Sequence, residues 1–256
     1  MADSTIKTAK RIFEVLEHFE VAREPLTLKA ISAQFGYPAS SASVLLKSMV
    51  TLGYLDYDRY SRTYMPTMRM ATLGDWVSSA LFGDGAVLGL MEDIQAETGE
   101  TITLGAQSDL YAQHIYVLPS SHSVQVVLRS GAVRPLTRSG LGKILLSARD
   151  DATIEQIVRR VNAAEADPEK RVFLKELFAE IGEIRRQGYI YSKHTFSRGA
   201  GIISMLLPGR RLGRALAISV LGPVERLDEH KDRILKRLRR GIATLSRQCG
   251  KADAKR

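Results

Sequence analysis

The chain has 256 residues, of which 45% are hydrophobic and 25% are charged, and its formal net charge is +9. This composition is ordinary for a soluble globular protein and excludes disorder of the whole chain. The single cysteine excludes a disulfide scaffold, and no apolar run reaches the ~20 residues of a membrane-spanning helix. Residues 1–10 lack the apolar core of a secretory signal. We therefore expect a cytoplasmic protein of one large or two modest domains.

The positive charge is concentrated at the C-terminal end of the sequence. Residues 231–256 carry ten basic and two acidic side chains, whereas residues 1–83 have a net charge of +1 and residues 84–230 a net charge of zero. A basic balance favours nucleic acid as a partner. Because the surplus lies at the opposite end from the N-terminal elements, it does not indicate where DNA would bind, and we expect it to form a solvated face.

Three short helices and a two-stranded hairpin are predicted near the N-terminus. The helices cover residues 6–20, 28–35 and 38–52, and the strands cover residues 54–57 and 63–66. Thr27 stands where a helix N-cap belongs, and Pro38 suits the first turn of the third helix because its missing N–H would be unpaired there. The inner face of the third helix is expected to consist of four apolar residues, Val44, Leu45, Met49 and Leu52. This order and spacing are typical of a winged helix-turn-helix domain.

The rest of the sequence alternates between helix and strand signals. A helix over residues 68–81 is followed by Gly83, Asp84 and Gly85, which mark the candidate domain boundary. Further helices are predicted over residues 87–97, 141–148, 154–161, 171–187 and 227–248, and strands over residues 101–107, 111–118, 124–129, 201–207 and 214–221. Residues 251–256 are expected to be a frayed tail.

The third helix and the loop of the hairpin are the candidate DNA contacts. Residues 25–55 contain no acidic side chain, as expected for a segment that approaches phosphates. The third helix contains no Arg, Asn or Gln, so we expect it to read DNA through serine hydroxyls, alanine methyl groups and DNA shape. One of its serines is expected to cap the helix. The candidate DNA-binding residues are Thr27, Lys29, Ala39, Ser40, Ser41, Ser43, Lys47, Arg59 and Arg62.

Five segments resemble the IclR family of bacterial transcriptional regulators, in the same order. They are LTLKAISAQFGYPASSASVLLKSMVTLGYLDYD, AETGETITLG, PLTRSGLGKILLS, IRRQGYIYS and GRALAISVLGP. The resemblance covers residues 6–250 and implies a dimeric or tetrameric regulator of mixed α+β and α/β class. It divides the chain into a winged helix-turn-helix DNA-binding domain over 1–67, a linker helix over 68–83, a GAF-like effector-binding domain over 84–250 and a tail over 251–256. The linker helix would help to pair the subunits.

The resemblance also implies an effector pocket between the central sheet and nearby loops. Its residues, carried over by position, are Val124, Val127, Leu141, Gly142, Ser192, Ala200, Ile202, Ser219 and Leu221. The helix that begins near Leu141 offers N–H groups and the positive end of a dipole, which suit a carboxylate. The valines and Ile202 suit an apolar body, and plain core packing is their alternative role. We therefore expect a small aromatic or aliphatic acid that modulates operator binding.

Neither an enzyme nor a metalloprotein is expected. The five histidines show no metal-ligand spacing, and SGLGK lacks the earlier glycine and the following Ser or Thr of a P-loop. No nucleophile-elbow pattern occurs, and we expect no cofactor. The expected partners are double-stranded DNA with an inverted repeat, a small organic effector and further copies of the chain, without a membrane. The alternative is a ligand-sensing interaction protein whose winged helix does not read DNA.

Overall fold

The structure is a computed structural model that describes residues 6–83, 85–195 and 197–253. For residues 248–253 it describes the backbone alone. Within these ranges no helix is long and apolar enough to cross a membrane. The chain divides into two compact units, Met1–Ser79 and Ala80–Arg256. This division falls inside the predicted linker helix, and Asp84 of the predicted boundary lies outside the described residues.

The first unit contains three helices and a three-stranded antiparallel sheet. The helices are α1 (Lys7–Ala22), α2 (Leu28–Phe35) and α3 (Ala39–Thr51), and the strands are β1 (Leu26–Thr27), β2 (Leu55–Asp58) and β3 (Thr63–Pro66) in the order β1-β3-β2. Thr27 caps α2 as predicted, because its Oγ1 accepts a hydrogen bond from the Ala30 N–H at 3.1 Å. Gly36 ends α2 with a φ of 64°, a left-handed conformation that favours glycine. This unit is a winged helix-turn-helix domain, with β2 and β3 as its wing.

The inner face of α3 differs from the predicted one. Its buried residues are Ala42, Leu45, Leu46 and Met49. Val44 and Leu52 are 67% and 57% exposed, so their predicted burial was wrong. Val44 lies on the side of the helix opposite Leu46, given 100° of rotation per residue, and Leu52 follows the last helical residue.

A separate helix, α4 (Met68–Phe82), runs across the division between the two units. All of its residues are described, and none of them is buried. Leu73 and Trp76 are 59% and 65% exposed. A helix with large apolar side chains in water has a face that another surface can cover.

The second unit is built on a six-stranded antiparallel sheet with the order β6-β5-β4-β9-β8-β7. The strands are β4 (Thr101–Ser108), β5 (Tyr111–Leu118), β6 (Val133–Pro135), β7 (Ile190–Lys193), β8 (Ala200–Leu206) and β9 (Leu216–Pro223). The helices are α5 (Ala86–Thr98), α6 (Gly140–Ser147), α7 (Asp151–Ala164), α8 (Leu174–Gln187) and α9 (Val224–Asp253), with a 3-10 turn at Pro168–Lys170. Helices α5 and α9 pack on one face of the sheet and α6 to α8 on the other. This arrangement agrees with the predicted GAF-like domain.

The strand predicted over residues 124–129 was wrong, because β6 takes the edge position beside β5 instead. Val124 and Val127 are 68% and 80% exposed. We call residues 119–129 the strap. Hydrogen bonds from side chains, rather than from a neighbouring strand, fix the strap. The Thr101 hydroxyl donates to the Val126 carbonyl at 3.2 Å, and Arg226 donates to the Val124 carbonyl at 3.0 Å.

Two other differences concern the ends of elements. Strand β7 was not predicted from the residue pattern, although the resemblance implied a strand at Ser192, and it forms the second edge of the large sheet. Helix α9 continues to Asp253, so residues 251–253 of the predicted tail are helical, whereas residues 254–256 lie outside the described ranges.

Candidate functional site

The first turn of α3 presents small polar residues to solvent. Ala39, Ser40 and Ser41 are exposed. The N-cap of α3 is Pro38, and within the described ranges no side chain caps this helix. The prediction that one serine serves as the cap was therefore wrong, and the hydroxyls of this turn are not needed to begin the helix. Ala42 is only 1% exposed, so its methyl group belongs to the core and cannot touch a base.

A groove between α3 and the wing brings together three of the predicted DNA-binding residues, Ser43, Lys47 and Arg62. Tyr57 and Tyr64 of the wing form another wall of the groove, with ring centroids 4.7 Å apart. Thr27 is exposed, but its hydroxyl already caps α2. Lys29 and Arg59 are exposed and lie outside the lining of the groove. The groove therefore combines two cations and a hydroxyl on one surface.

The wing loop is held by its own aspartate. Asp58 accepts hydrogen bonds from the Tyr60 N–H and from the Ser61 hydroxyl, both at 2.8 Å. The Ser61 hydroxyl and then the Tyr60 N–H lower the pKa of Asp58. Arg62 adopts a φ of 56° in this loop, and Tyr60 is fully exposed at its tip. Tyr60 was not predicted as a site residue, because a tyrosine in a polar loop carries no distinguishing spacing.

The turn between α2 and α3 is tied to α1, which fixes where α3 points within the domain. The Tyr37 hydroxyl donates a short hydrogen bond to Glu14, and the Arg11 guanidinium lies 4.4 Å from the centre of the Tyr37 ring. Burial, followed by the bond to Glu14, raises the pKa of Tyr37 to about 12. The phenol therefore stays protonated at physiological pH and keeps its donor role.

A cavity of about 90 Å³ lies on the α6 side of the large sheet. Its lining consists of His114, Val126, Val127, Leu128, Arg134, Ser139, Gly140, Leu141, Ser192, Thr195, Ser197, Ala200, Gly201, Ile202 and Leu221. Six of the nine residues predicted for the effector pocket belong to it, namely Val127, Leu141, Ser192, Ala200, Ile202 and Leu221. The described part of this lining contains no Asp or Glu. Across the described ranges, no three His, Cys, Asp or Glu side chains approach closely enough to hold a metal ion.

The other three predicted pocket residues have different roles. Val124 is 68% exposed and is not part of the lining, and its carbonyl accepts a hydrogen bond from Arg226. The Gly142 N–H donates to the Ser139 hydroxyl at 2.9 Å, and Gly142 packs against the backbone of Leu136. Ser219 is fully buried and accepts a hydrogen bond from the Ser204 hydroxyl at 2.7 Å. The structure therefore does not place these three residues in the cavity.

The N-terminus of α6 enters the cavity wall. Ser139 caps the helix, and among the described residues no acceptor takes the N–H groups of Gly140 and Leu141. A methyl group on Gly140 would lie 2.7 Å from Ile202 Cγ2 and 2.8 Å from Ser192 Cβ, so glycine lets β7 and β8 approach the helix. Unpaired N–H groups at a helix N-terminus attract an anion.

Two cavity residues, His114 and Arg134, were not predicted. His114 is 2% exposed, and its Nδ1 lies 3.1 Å from the Thr103 hydroxyl oxygen. Burial, with a smaller effect of the Arg134 cation, lowers the pKa of His114 to about 4. The ring is therefore neutral at pH 7. Strand alternation could have revealed His114, because it lies two residues after Ala112 and therefore on the same buried face of β5.

Lowering the pH from about 6.5 to about 4 is expected to cost the fold about 3 kcal/mol through His114. The unfolded chain binds a proton at the ordinary pKa of 6.5, whereas the folded chain resists it until about pH 4. Stability is therefore complete above pH 6.5 and is lost as the pH falls through this window. Urea unfolding across the window should show a weaker pH dependence for His114→Gln than for the wild-type chain, and equal dependence would contradict the assignment.

An ion pair with a buried carboxylate and a partly exposed guanidinium supports the strap. Glu100 has only 4% of its side chain exposed, and Arg226 donates two hydrogen bonds to it at 2.5 and 2.9 Å. The same guanidinium donates to the Val124 carbonyl. Glu100 immediately precedes β4, and Arg226 lies in the first turn of α9. The pair therefore connects β4 and α9 to the strap, which forms part of the cavity wall.

A winged helix-turn-helix followed by a sheet domain with a cavity at one helix N-terminus is the arrangement of winged-helix transcriptional regulators. Two family models match the chain: the IclR helix-turn-helix domain over residues 8–59 and the bacterial transcriptional regulator IclR C-terminal domain over residues 86–247. The chain belongs to the IclR family, and it is a DNA-binding transcriptional regulator. This family consists of regulators and not of enzymes.

Individual relatives agree with this assignment. The chain is 24% identical to the HTH-type transcriptional regulator KdgR of Dickeya chrysanthemi over 97% of its own length and 82% of that protein. It is 25% identical to the Pca regulon regulatory protein of Pseudomonas putida over 75% of its own length and 65% of that protein.

Solved structures share the fold. The effector domain of a transcriptional regulator IclR from Acinetobacter sp. ADP1 matches with a TM-score of 0.60 and 33% identity, covering 65% of this chain and 97% of that one. The Thermotoga maritima IclR structure matches with a TM-score of 0.67 and 18% identity, covering 94% of this chain and all of that one. The second match supports the fold alone.

Proposed function

We propose that this regulator binds an inverted-repeat operator as a dimer or tetramer, and that a small organic acid in the α6 cavity modulates this binding. The observation that carries the proposal is the cavity beside α6, whose lining combines the two residues with unpaired helix N–H groups and several apolar side chains. The N–H groups of Gly140 and Leu141 suit a carboxylate, and Val127, Ile202 and Leu221 suit an aromatic or aliphatic body.

The DNA contacts divide into two kinds by their chemistry. Lys47 and Arg62 in the groove, with Lys29 and Arg59 beside it, supply phosphate contacts that are independent of sequence. The other five candidates are only weak direct readers of bases, and the hydroxyl of one of them, Thr27, already caps α2. They are Thr27, Ala39, Ser40, Ser41 and Ser43. DNA shape then contributes to selectivity.

The exposed apolar side chains of α4 support pairing of subunits. Leu73 and Trp76 lie one turn apart on the helix and are both mostly in water in the single chain. A second copy of α4 would remove them from water. A two-fold symmetric dimer predicts an operator with an inverted repeat.

Lys47→Gln is expected to weaken binding to all sequences and to reduce the slope of log affinity against log salt by about 1. Ser41→Ala with Ser43→Ala should instead reduce selectivity between operator and random DNA and leave the salt slope unchanged. A mobility-shift titration with the DNA upstream of the gene, at several salt concentrations, measures both quantities.

The matched control for charge is Lys175→Gln, which removes one exposed cation from α8 in the second unit. Its salt slope should equal that of the wild-type chain. Unchanged affinity and selectivity in the double serine variant would contradict the role of these hydroxyls. Absence of any sequence-specific shift would favour the alternative, an interaction protein that senses a ligand without reading DNA.

The effector acts on DNA binding only through its different affinities for the free and DNA-bound states. A ligand that binds both states equally would leave the operator affinity unchanged however tightly it binds. Titrating the ligand against free protein and against the operator complex measures this difference, and equal affinities would contradict the modulation proposed above.

A further inference from the structure

The effector cavity has a polar end that the predicted residues do not include. We propose that Arg134 and His114 determine its specificity: Arg134 binds the carboxylate of the effector, and His114 donates a hydrogen bond to it from Nε2. The cavity would then accept compact carboxylates with an apolar body and reject their neutral isosteres. This inference rests on the proposed function, because it takes this cavity as the effector site.

The sheet register brings the two side chains to one face. Arg134 on β6 lies directly opposite Ala112 on β5, and His114 follows Ala112 by two residues. Side chains two residues apart on a strand share a face, so Arg134 and His114 are diagonal neighbours. The His114 backbone also holds the edge of the sheet, because its N–H donates to the Ala132 carbonyl at 2.8 Å and its carbonyl accepts from Gly131 at 2.7 Å.

The position of the His114 ring suits a donor. Thr103 lies next to Nδ1, and a hydroxyl can either donate or accept a hydrogen bond. When the Thr103 hydroxyl donates to Nδ1, the ring proton is on Nε2. No described residue partners Nε2, although the ring is almost completely buried and lines the cavity. Nε2 is open to the space of the cavity, so a ligand group bound there can accept a hydrogen bond from it.

The charge of the lining favours an anion. Arginine is permanently ionised, and its planar donors match the geometry of a carboxylate. Asp and Glu are absent from the described lining, whereas the hydroxyls of Ser139, Ser192 and Thr195 add further donors. The unpaired α6 N–H groups carry a partial positive charge in the same cavity. A neutral amide in place of the carboxylate would lose the charge-assisted hydrogen bond with Arg134. Its own N–H group would also face hydrogen-bond donors of the cavity instead of acceptors.

Isothermal titration of the full chain with two acid and amide pairs tests the proposal. The probes are benzoate with benzamide and hexanoate with hexanamide. The wild-type chain should bind at least one acid about tenfold or more tightly than its amide. Arg134→Gln should weaken binding of the acid by about ten- to a hundredfold and leave the amide within about threefold.

Two further comparisons separate the specific contact from general effects. Arg129→Gln removes the same charge from an exposed residue of the strap that does not line the cavity, and it should behave as the wild-type chain does. His114→Gln keeps a donor and should retain part of the preference for the acid, whereas His114→Phe should lose it. If the phenylalanine variant does not fold, the comparison of acid binding by Arg134→Gln and Arg129→Gln decides whether the contact is specific.

Three results would overturn the proposal: binding of neither acid, equal affinity of acid and amide, or an equal loss in Arg129→Gln. Operator binding is measured separately, without ligand, for the wild-type chain and for Arg134→Gln. A wild-type chain that selects the acids but does not bind the operator would refute the proposed function and leave the specificity of the cavity standing. A chain that binds the operator but does not select the acids would do the reverse.

Discussion

Replacing Arg226 with methionine is expected to lower the free energy of unfolding by about 3–5 kcal/mol. Methionine keeps much of the side-chain volume but leaves the Glu100 carboxylate buried without its cation, since only 4% of that side chain is exposed. The loss reflects an uncompensated buried charge rather than the net value of the pair. Urea unfolding followed by circular dichroism measures it.

The same substitution on the same helix provides the control. Arg233→Met breaks an ion pair with Glu97 in which both side chains are more than a third exposed. Surface pairs contribute at most about 1 kcal/mol, so this variant should remain close to the wild-type chain. Adding Glu100→Gln to Arg226→Met should recover part of the loss, because it removes the buried charge. Similar stabilities of Arg226→Met and Arg233→Met would contradict this account of Glu100.

Gly142→Ala is expected to destabilise the second unit by about 3 kcal/mol or more. A Cβ at this position would lie 2.0 Å from the carbonyl oxygen of Leu136 and 2.6 Å from its carbonyl carbon. These are backbone atoms, so neither can turn aside as a side chain would. Helix α6 would have to move, and with it the N–H groups that line the cavity. Both thermal unfolding and acid binding should show the change.

Gly182→Ala tests the effect of the added methyl group without the clash. Gly182 is exposed within α8, and a Cβ there would meet no atom within 4 Å. Alanine is the better helix former by about 1 kcal/mol, so this variant should be slightly more stable than the wild-type chain. If Gly142→Ala were equally harmless, the close packing of α6 on Leu136 would be disproved.

The elements of the first unit were predictable because their signals are local. Thr27, Gly36 and Pro38 mark helix ends through the conformations and hydrogen bonds of a few adjacent residues, and the structure has helix ends at those places. The cap of α3 was the exception. Both serine and proline occur at the start of helices, and the neighbouring sequence does not show which of them occupies the N-cap position.

The errors in the second unit arise from pairing between distant residues. An apolar alternation at Val124 and Val127 suits a strand, but β5 has only one free edge, and Val133–Pro135 occupies it. The polar end of the cavity was missed for the same reason. Nothing near His114 or Arg134 in the sequence reveals that they are neighbours, because only the register of β5 and β6 brings them together.

The start of α3 has a consequence for how such a regulator can change its target. Ser40 and Ser41 are exposed, and Pro38 rather than a hydroxyl begins the helix. We therefore expect mutations at these two positions to cost little in folding, since surface substitutions usually change stability by less than about 0.5 kcal/mol. If α3 contacts the operator as proposed above, single codon changes at these positions would alter its target without first requiring a stabilising substitution elsewhere.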